Sequence, residues 1–557
     1  MATYIFESMT DAQGATYEQS TDTVFVLDAN TSANEMTVLY NTTVVPPSAT
    51  TTGSTTVTAT VVNNVTGKTV NFGTGVLGEQ DWQFTDGSDL LIGSTNADSV
   101  TFTTGNDGMF GGLGDDSMNS GAGDDVLQGN GGNDSENGAA GNDTIYGGQG
   151  NDSLDVAAGT NYAQGNIGND TILATGAAAT DANTLLGGQG NDSVVGGAGN
   201  DFLNGNLGDD TVVATGGRDT LLGEDGNDSI NATGVVGGTI TGGAHNDTIN
   251  LSGALTSLTT INGNAGNDTI TSSATLGTGG SQQLSGGQGN DSIVSSGNVV
   301  TYIDGNLGND SINSGTANDT LLGEDGDDSI LDTGGRNTVT GGAGNDTINL
   351  SGTATTDNDN VFAGDGNDTI TDQSTGGRNT LDGGVGNDSI TSAAGTDQVI
   401  GGDGDDTVLG GAGGDTVNGG AGNDLVNGGA GTDNLFGGTG NDTFFFASNE
   451  SANTQGNQDR IFDWSGTNDV LDFQGLGAGT SANYEEEVGA TDFSDAATIA
   501  ENEFNGTVTY VAIQVGSDVV VFADNGTNAG SLDANDTAVV LVGRTLADLA
   551  DDGSNII

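Results

Sequence analysis

Asp107, Asp116, Asp125, Asp134, Asp143 and Asp152 stand nine residues apart, and the same interval links Asp192, Asp201, Asp210, Asp219 and Asp228, then Asp406, Asp415, Asp424, Asp433 and Asp442. Carboxylates on so regular a spacing suit the coordination of hard divalent cations by oxygen, with main-chain carbonyls as co-ligands. Other chemistries lack their residue types. The chain has no Cys and a single His, His245, which removes thiolate metal sites and Cys nucleophiles and leaves a Ser-His-Asp triad one base to draw on. Neither a His-Glu-x-x-His motif nor a Gly-x-Ser-x-Gly elbow occurs. With 77 acidic residues against 6 basic ones the formal charge is −71, which repels nucleic-acid backbones and anionic lipid headgroups and makes cations the expected partners.

The elements that must position these carboxylates follow from what surrounds them. From about Asp89 to Asp442 the chain returns to Gly-Gly-x-Gly-Asn/Asp-Asp-Ser/Thr-Ile/Leu/Val-x, as in Gly147-Gly148-Gln149-Gly150-Asn151-Asp152-Ser153-Leu154 and in Gly341 to Ile348. The glycines permit tight turns, and the short stretch around the apolar residue is a strand with that residue turned inward. Ile145, Leu154, Ile172, Val194, Leu203 and Ile230 begin an inward column suited to stacked parallel strands. Two nonapeptides make one coil, so the chain is expected to be all-β, a long parallel β-roll of about 19 coils. Asp residues recurring once per coil would stand roughly 4.8 Å apart, costing about 0.9 kcal/mol per neighbouring pair even in bulk water. Without metal such a column opposes folding.

These repeats resemble the nonapeptides of the RTX (repeats-in-toxin) family, and the likeness covers nearly two thirds of the chain. The resemblance implies a Ca²⁺-stapled roll, with many Ca²⁺ ions between successive turns held by Asp carboxylates and loop carbonyls. One edge carries an unbroken column of near-complete loops: Asp170, Asp192, Asp210, Asp228, Asp247, Asp268, Asp291, Asp310, Asp328, Asp346, Asp368, Asp388, Asp406, Asp424 and Asp442. Asp201, Asp319, Asp415 and Asp433 are candidate ligands from the opposite edge, where extra residues also accumulate, for example between Asp170 and Asn183, Asp247 and Thr259, and Asp368 and Asn379. Arg218, Arg336 and Arg378 follow Gly-Gly on that edge. They are read either as local substitutes for the cation or as exposed side chains of little energetic weight. His245 replaces a loop glycine and is read as a tolerated substitution.

Three regions are expected: a β-rich cap, attachment or assembly region over 1–85, the roll over 86–445, and a β-rich region over 446–557. In the last, Thr443 to Phe446, Asp459 to Trp464 and Asp536 to Leu541 are similar to the ends of RTX proteins exported by type I secretion, which implies an exported chain. The start lacks a basic and apolar leader, and no run of about 18 apolar residues predicts a transmembrane segment. The organisation resembles that of type I-secreted S-layer proteins. The expected function is therefore a secreted, non-enzymatic, Ca²⁺-dependent structural protein on the bacterial cell surface. It would self-associate into a lattice or filament, with surface polysaccharide or lipopolysaccharide as candidate attachment ligands. An adhesin or matrix filament is the alternative. A polysaccharide-modifying enzyme ranks lower, as does ice binding by the hydroxyl row that begins Ser153, Thr171, Ser193 and Thr211.

Overall fold

The computed structural model describes residues 3–6, 9–14, 23–26, 32–45, 54–66, 68–72, 77, 82–84, 86–174, 176–352, 358–448, 450–451, 454–466, 468–480, 482–504, 507–525, 531–533, 536–549 and 554–557. The chain forms two compact units, Met1–Ser281 and Gln282–Ile557. Both are built on a parallel β-solenoid, as the repeat requires.

In the first unit six-residue strands such as Val126–Gly131, Thr144–Gln149 and Tyr162–Ile167 alternate with three-residue strands such as Ser135–Asn137, Ser153–Asp155 and Thr171–Leu173. Each set forms its own parallel sheet. Thr144 pairs with Tyr162 and Ser153 with Thr171, an offset of two nonapeptides, so two repeats do make one coil. The strands are unequal because the longer ones run on through the paired glycines, Gly148 lying opposite Asn166. Between the sheets lies a narrow dry core in which Leu127, Ile145, Leu154, Ile172, Leu185 and Val194 are fully buried. Burying such a side chain contributes roughly 1.5–3 kcal/mol, once per strand per coil.

The loop glycines meet two different demands. Gly150 has φ +126°, and a Cβ there would lie 1.8 Å from the carbonyl oxygen of Gly132 one coil earlier, so both backbone sign and close stacking require glycine. At the equivalent position His245 adopts φ +81° with its side chain exposed, consistent with a tolerated substitution.

Ahead of the coils, Met36–Val45 and Ser54–Asn63 form an antiparallel hairpin joined by Thr69–Phe72. Met36, Val38, Val61, Val70 and Trp82 share a cluster with Leu90 and Ile92 of the three-residue strand Leu90–Ile92 and with Phe110 of the first six-residue strand, Gly108–Leu113. The N-terminal segment thus covers the apolar end of the column. The Tyr40 hydroxyl donates to the Phe110 carbonyl at 2.9 Å.

In the second unit the same two sheets run through strands such as Thr380–Val385 and Ser389–Thr391 to Asp459–Ile461 and Val470–Phe473. Loop residues of regular nine-residue units form a third small sheet, Ala394–Gly395, Ala412–Gly413 and Ala430–Gly431. Beyond the coils, Tyr510–Val515, Asp518–Ala523 and Thr537–Leu541 pair antiparallel, and Thr537–Leu541 also pairs with Asp459–Ile461. An eleven-residue helix, Phe493–Glu503, is absent from the sequence reading. It is N-capped by Asp492, whose side chain accepts from the Asp495 N–H, and it buries Ala496 and Ala500 against Phe522 and its neighbours. No helix among the described residues is long and apolar enough to cross a membrane.

Candidate metal centre

The sixth residue of each nonapeptide follows the loop glycine and precedes a strand, so its side chain turns back under the loop. Every aspartate singled out by its spacing is at most 3% exposed. Their carboxylates form ladders. The N–H of Asp116 donates to Asp134 Oδ1, that of Asp134 to Asp152 Oδ1, and so on through Asp170, Asp192, Asp210, Asp228, Asp247 and Asp268, at 2.7–2.8 Å. Within the second unit the same ladder links Asp291, Asp310, Asp328, Asp346, Asp368, Asp388, Asp406, Asp424 and Asp442 at 2.7–3.1 Å. The residue before each Asp makes a second, exposed ladder of opposite sense, as where the Asn151 N–H donates to Asn133 Oδ1.

Oδ1 is therefore satisfied, but Oδ2 is not. In Asp116, Asp134, Asp152, Asp170, Asp192 and Asp210, and in Asp310, Asp328, Asp346, Asp368 and Asp388, Oδ2 is buried with no hydrogen-bond partner. A buried carboxylate oxygen left this way is costly unless a cation meets it. The first glycine of the motif makes room for one. A Cβ on Gly147 would lie 2.4 Å from Asp152 Oδ2 and 2.9 Å from the Gly165 carbonyl oxygen, and one on Gly129 would lie 2.2 Å from Asp134 Oδ2 and 2.5 Å from the Gly147 oxygen. These glycines have ordinary φ, so space rather than backbone freedom demands them. Among the described residues no three acidic or imidazole side chains gather at one point. A cation between coils would draw on one carboxylate and several main-chain oxygens, a donor set that fits Ca²⁺.

Electrostatics agree. Burial pushes the carboxyls of Asp116, Asp210 and Asp328 up to about 7, and those of Asp134, Asp152 and Asp346 to about 6. The N–H from the preceding coil pulls the other way, and nearby carboxylates add to the rise. Neutralisation by metal or proton is what the arrangement lacks.

The opposite edge is mixed. Asp107, Asp125, Asp143 and Asp201 in the first unit, and Asp319, Asp415 and Asp433 in the second, hold ladder positions with an unpartnered Oδ2. Between them, neutral side chains take the same place. Asn161 accepts the Asp143 N–H at 2.8 Å through Oδ1 while its amide donates to the Val156 and Gly159 carbonyls. Gln282, Ser295 and Thr301 form a buried neutral network at 2.8–3.2 Å. At such coils an amide supplies the same Oδ1 acceptor without the charge.

Arg218, Arg336 and Arg378 do not serve as counter-charges. Each side chain is exposed, each is held only through its main-chain N–H to Asn200, Asn318 or Asn358 at 2.8–3.0 Å, and none makes an ion pair with a described residue. At two of these coils the adjacent inner residue is already a neutral amide, Asn337 or Asn379, and the nearby carboxylates are met by amide and main-chain N–H groups, as where the Asn379 amide donates to Asp372 at 2.9 Å and the Asn337 N–H to Asp359 at 2.8 Å. Two further ladder members complete the edge, Asp219, which the nine-residue register includes, and Asp459, which it does not. Asp219 accepts the Asp201 N–H at 2.9 Å, and Asp459 accepts the Asp433 N–H at 2.9 Å, each with a buried Oδ2 that lacks a partner. Nine-residue spacing points to Asp219. Asp459 sits beyond an insertion that breaks the count.

A family profile described as the RTX calcium-binding nonapeptide repeat matches fourteen stretches between residues 101 and 444. Among solved structures, a solution structure of a subunit of the Azotobacter vinelandii mannuronan C5-epimerase is 26% identical, over 32% of this chain and 77% of its own, with a TM-score of 0.20. No curated protein matches the chain.

Proposed function

The chain belongs to the RTX calcium-binding nonapeptide repeat family, whose cation is Ca²⁺, and we propose that it is a secreted, Ca²⁺-dependent structural protein that assembles on the bacterial cell surface. The observation that carries this reading is the run of buried, half-satisfied carboxylates through both units, which ties folding to external Ca²⁺. In the proposal the ladder aspartates are the ligands. Low Ca²⁺ inside the producing cell keeps the coils unfolded for export, and folding follows outside. Residues 86–445 are the Ca²⁺-binding roll, 1–85 its cap and attachment region, and 446–557 carry the type I export signal.

Assembly is supported by the surface of the coils. Leu113, Ile167 and Leu207 in the first unit, and Leu307 and Val385 in the second, end long strands with 38–52% of their surface exposed. Apolar side chains recurring at one position of strongly acidic coils suit contacts between copies, with Ca²⁺ bridging the residual charge. Contacts of this heterologous kind propagate rather than close. Electron microscopy of the purified protein is the test: extended periodic arrays at millimolar Ca²⁺ and none after chelation are expected. Monodisperse particles at every Ca²⁺ concentration, together with turnover of a polysaccharide substrate, would replace the structural reading with an enzymatic one. Filaments without lattice order would favour an adhesin or matrix fibre.

A further inference from the structure

The eighth residue of the nonapeptide faces the interior, and in successive three-residue strands of the first unit it is Met118, Glu136, Leu154 and Ile172. Glu136 breaks an apolar column. It pairs in register with Met118 on one side and Leu154 on the other, so its side chain enters the dry core between them. It is 1% exposed, and neither carboxylate oxygen has a hydrogen-bond partner.

Asp134 and Glu136 stand two residues apart with exposed Ser135 between them, so both side chains turn inward at the same end of the coil. Burial first, then the carboxylates of Asp134 and Asp152, push its carboxyl well above the usual range, while the Gly129 N–H pulls the other way and Asp116 adds to the rise. All four groups belong to one edge of the roll. Gly129 is also the glycine whose missing side chain leaves the recess lined by Asp134 Oδ2 and the Gly147 carbonyl oxygen. Asp134 reaches this recess from the loop, and Glu136 approaches it from the core.

We propose that Glu136 is a second carboxylate ligand for a divalent cation, Ca²⁺, held at the Gly129 recess with Asp134 Oδ2 and the Gly147 carbonyl, and that this is the tightest cation site of the first unit. A cation gives both Glu136 oxygens and Asp134 Oδ2 a partner at once, whereas a proton shared between Glu136 and Asp134 Oδ2 would still leave one Glu136 oxygen without one. Two carboxylates in a dry site also attract a divalent ion more strongly than one near the surface. No position of the nonapeptide motif supplies this ligand. The inference rests on the cation chemistry of the repeats and not on surface assembly, so each can fail without the other.

Hydrogen exchange on the full-length protein at graded free Ca²⁺ tests it, comparing segment 126–149 with segment 184–207 of the same unit. The first segment should gain protection at roughly ten-fold lower Ca²⁺ than the second, and Glu136→Gln should remove that difference. Glu136→Leu, which restores the apolar column and so guards against a Gln variant that fails to fold, should likewise raise the midpoint of 126–149. Protection of that segment by Glu136→Leu at the same or lower Ca²⁺ than in the parent would overturn the proposal and make Glu136 a protonated core residue. Equal midpoints for the two segments in the parent protein would overturn it as well.

Discussion

Removing Ca²⁺ should invert the usual acid sensitivity of a protein rich in aspartate. In the first unit eleven ladder carboxyls are pushed to about 6 or 7 from an ordinary 3.8, with burial the leading cause in each. Because these values rise on folding, the folded state binds more protons than the unfolded chain between about pH 3.8 and 7. Their contribution is fully present below the lower limit and is lost as the pH climbs through the upper one. A rise of two to three pH units corresponds to roughly 3–4 kcal/mol per group. Discounting for residual solvent access and screening leaves about 1 kcal/mol each. Summed over the unit this is on the order of 10 kcal/mol, within the 5–15 kcal/mol that holds a typical domain together. Protein freed of metal by chelation and then desalted should therefore lack β-structure near pH 8 and recover it near pH 5 without Ca²⁺. Far-ultraviolet circular dichroism with tryptophan fluorescence reads the transition. Metal-saturated protein should show the opposite slope, losing structure toward acid as protons displace the cation. A metal-free protein equally folded near pH 5 and pH 8, or equally unfolded at both, would refute the assignment of the Oδ2 atoms as the determinant of metal dependence.

The two glycine roles can be separated by substitution. Gly147→Ala places a Cβ 2.4 Å from Asp152 Oδ2 and should chiefly raise the Ca²⁺ needed for folding. Gly150→Ala collides with the Gly132 oxygen at 1.8 Å and should lower thermal stability by about 2 kcal/mol even at saturating Ca²⁺. Asp152→Asn combined with Asp170→Asn and Asp192→Asn keeps the Oδ1 acceptors while removing charge, as Asn161 and Asn183 already do in the opposite column. This triple variant should gain about 1 kcal/mol per site without metal near pH 8 and bind fewer Ca²⁺ ions, measured by chemical denaturation and native mass spectrometry.

Much of this architecture is set by period alone. A repeat of nine residues with glycines in the turns and one apolar residue per strand admits little besides stacked parallel coils, so the buried column through Ile145, Leu154 and Ile172 and the aspartate ladders are legible in the chain. The reading was weakest where periodicity ends. The helix Phe493–Glu503 follows an irregular stretch, and its burial depends on the strands that pack over it. Asp459 takes its ladder place across an insertion of uncounted length. Arg378 stands beside an inner position, yet which way its side chain leaves the coil is decided by packing of the loop.

What only the tertiary structure decided is direction. Spacing brings one carboxylate to each coil but does not say which oxygen is used. The stacking of consecutive coils turns Oδ1 toward the N–H of the coil before and leaves Oδ2 facing the bare α-carbon of its own first glycine. Glu136 shows the same division: its position in the repeat places it inside, and the stacking of neighbouring coils sets it between Met118 and Leu154 with neither carboxylate oxygen partnered. A linear period specifies which residues recur at one height of the coil, whereas the choice between a satisfied and an orphaned oxygen depends on contacts between chain segments about eighteen residues apart.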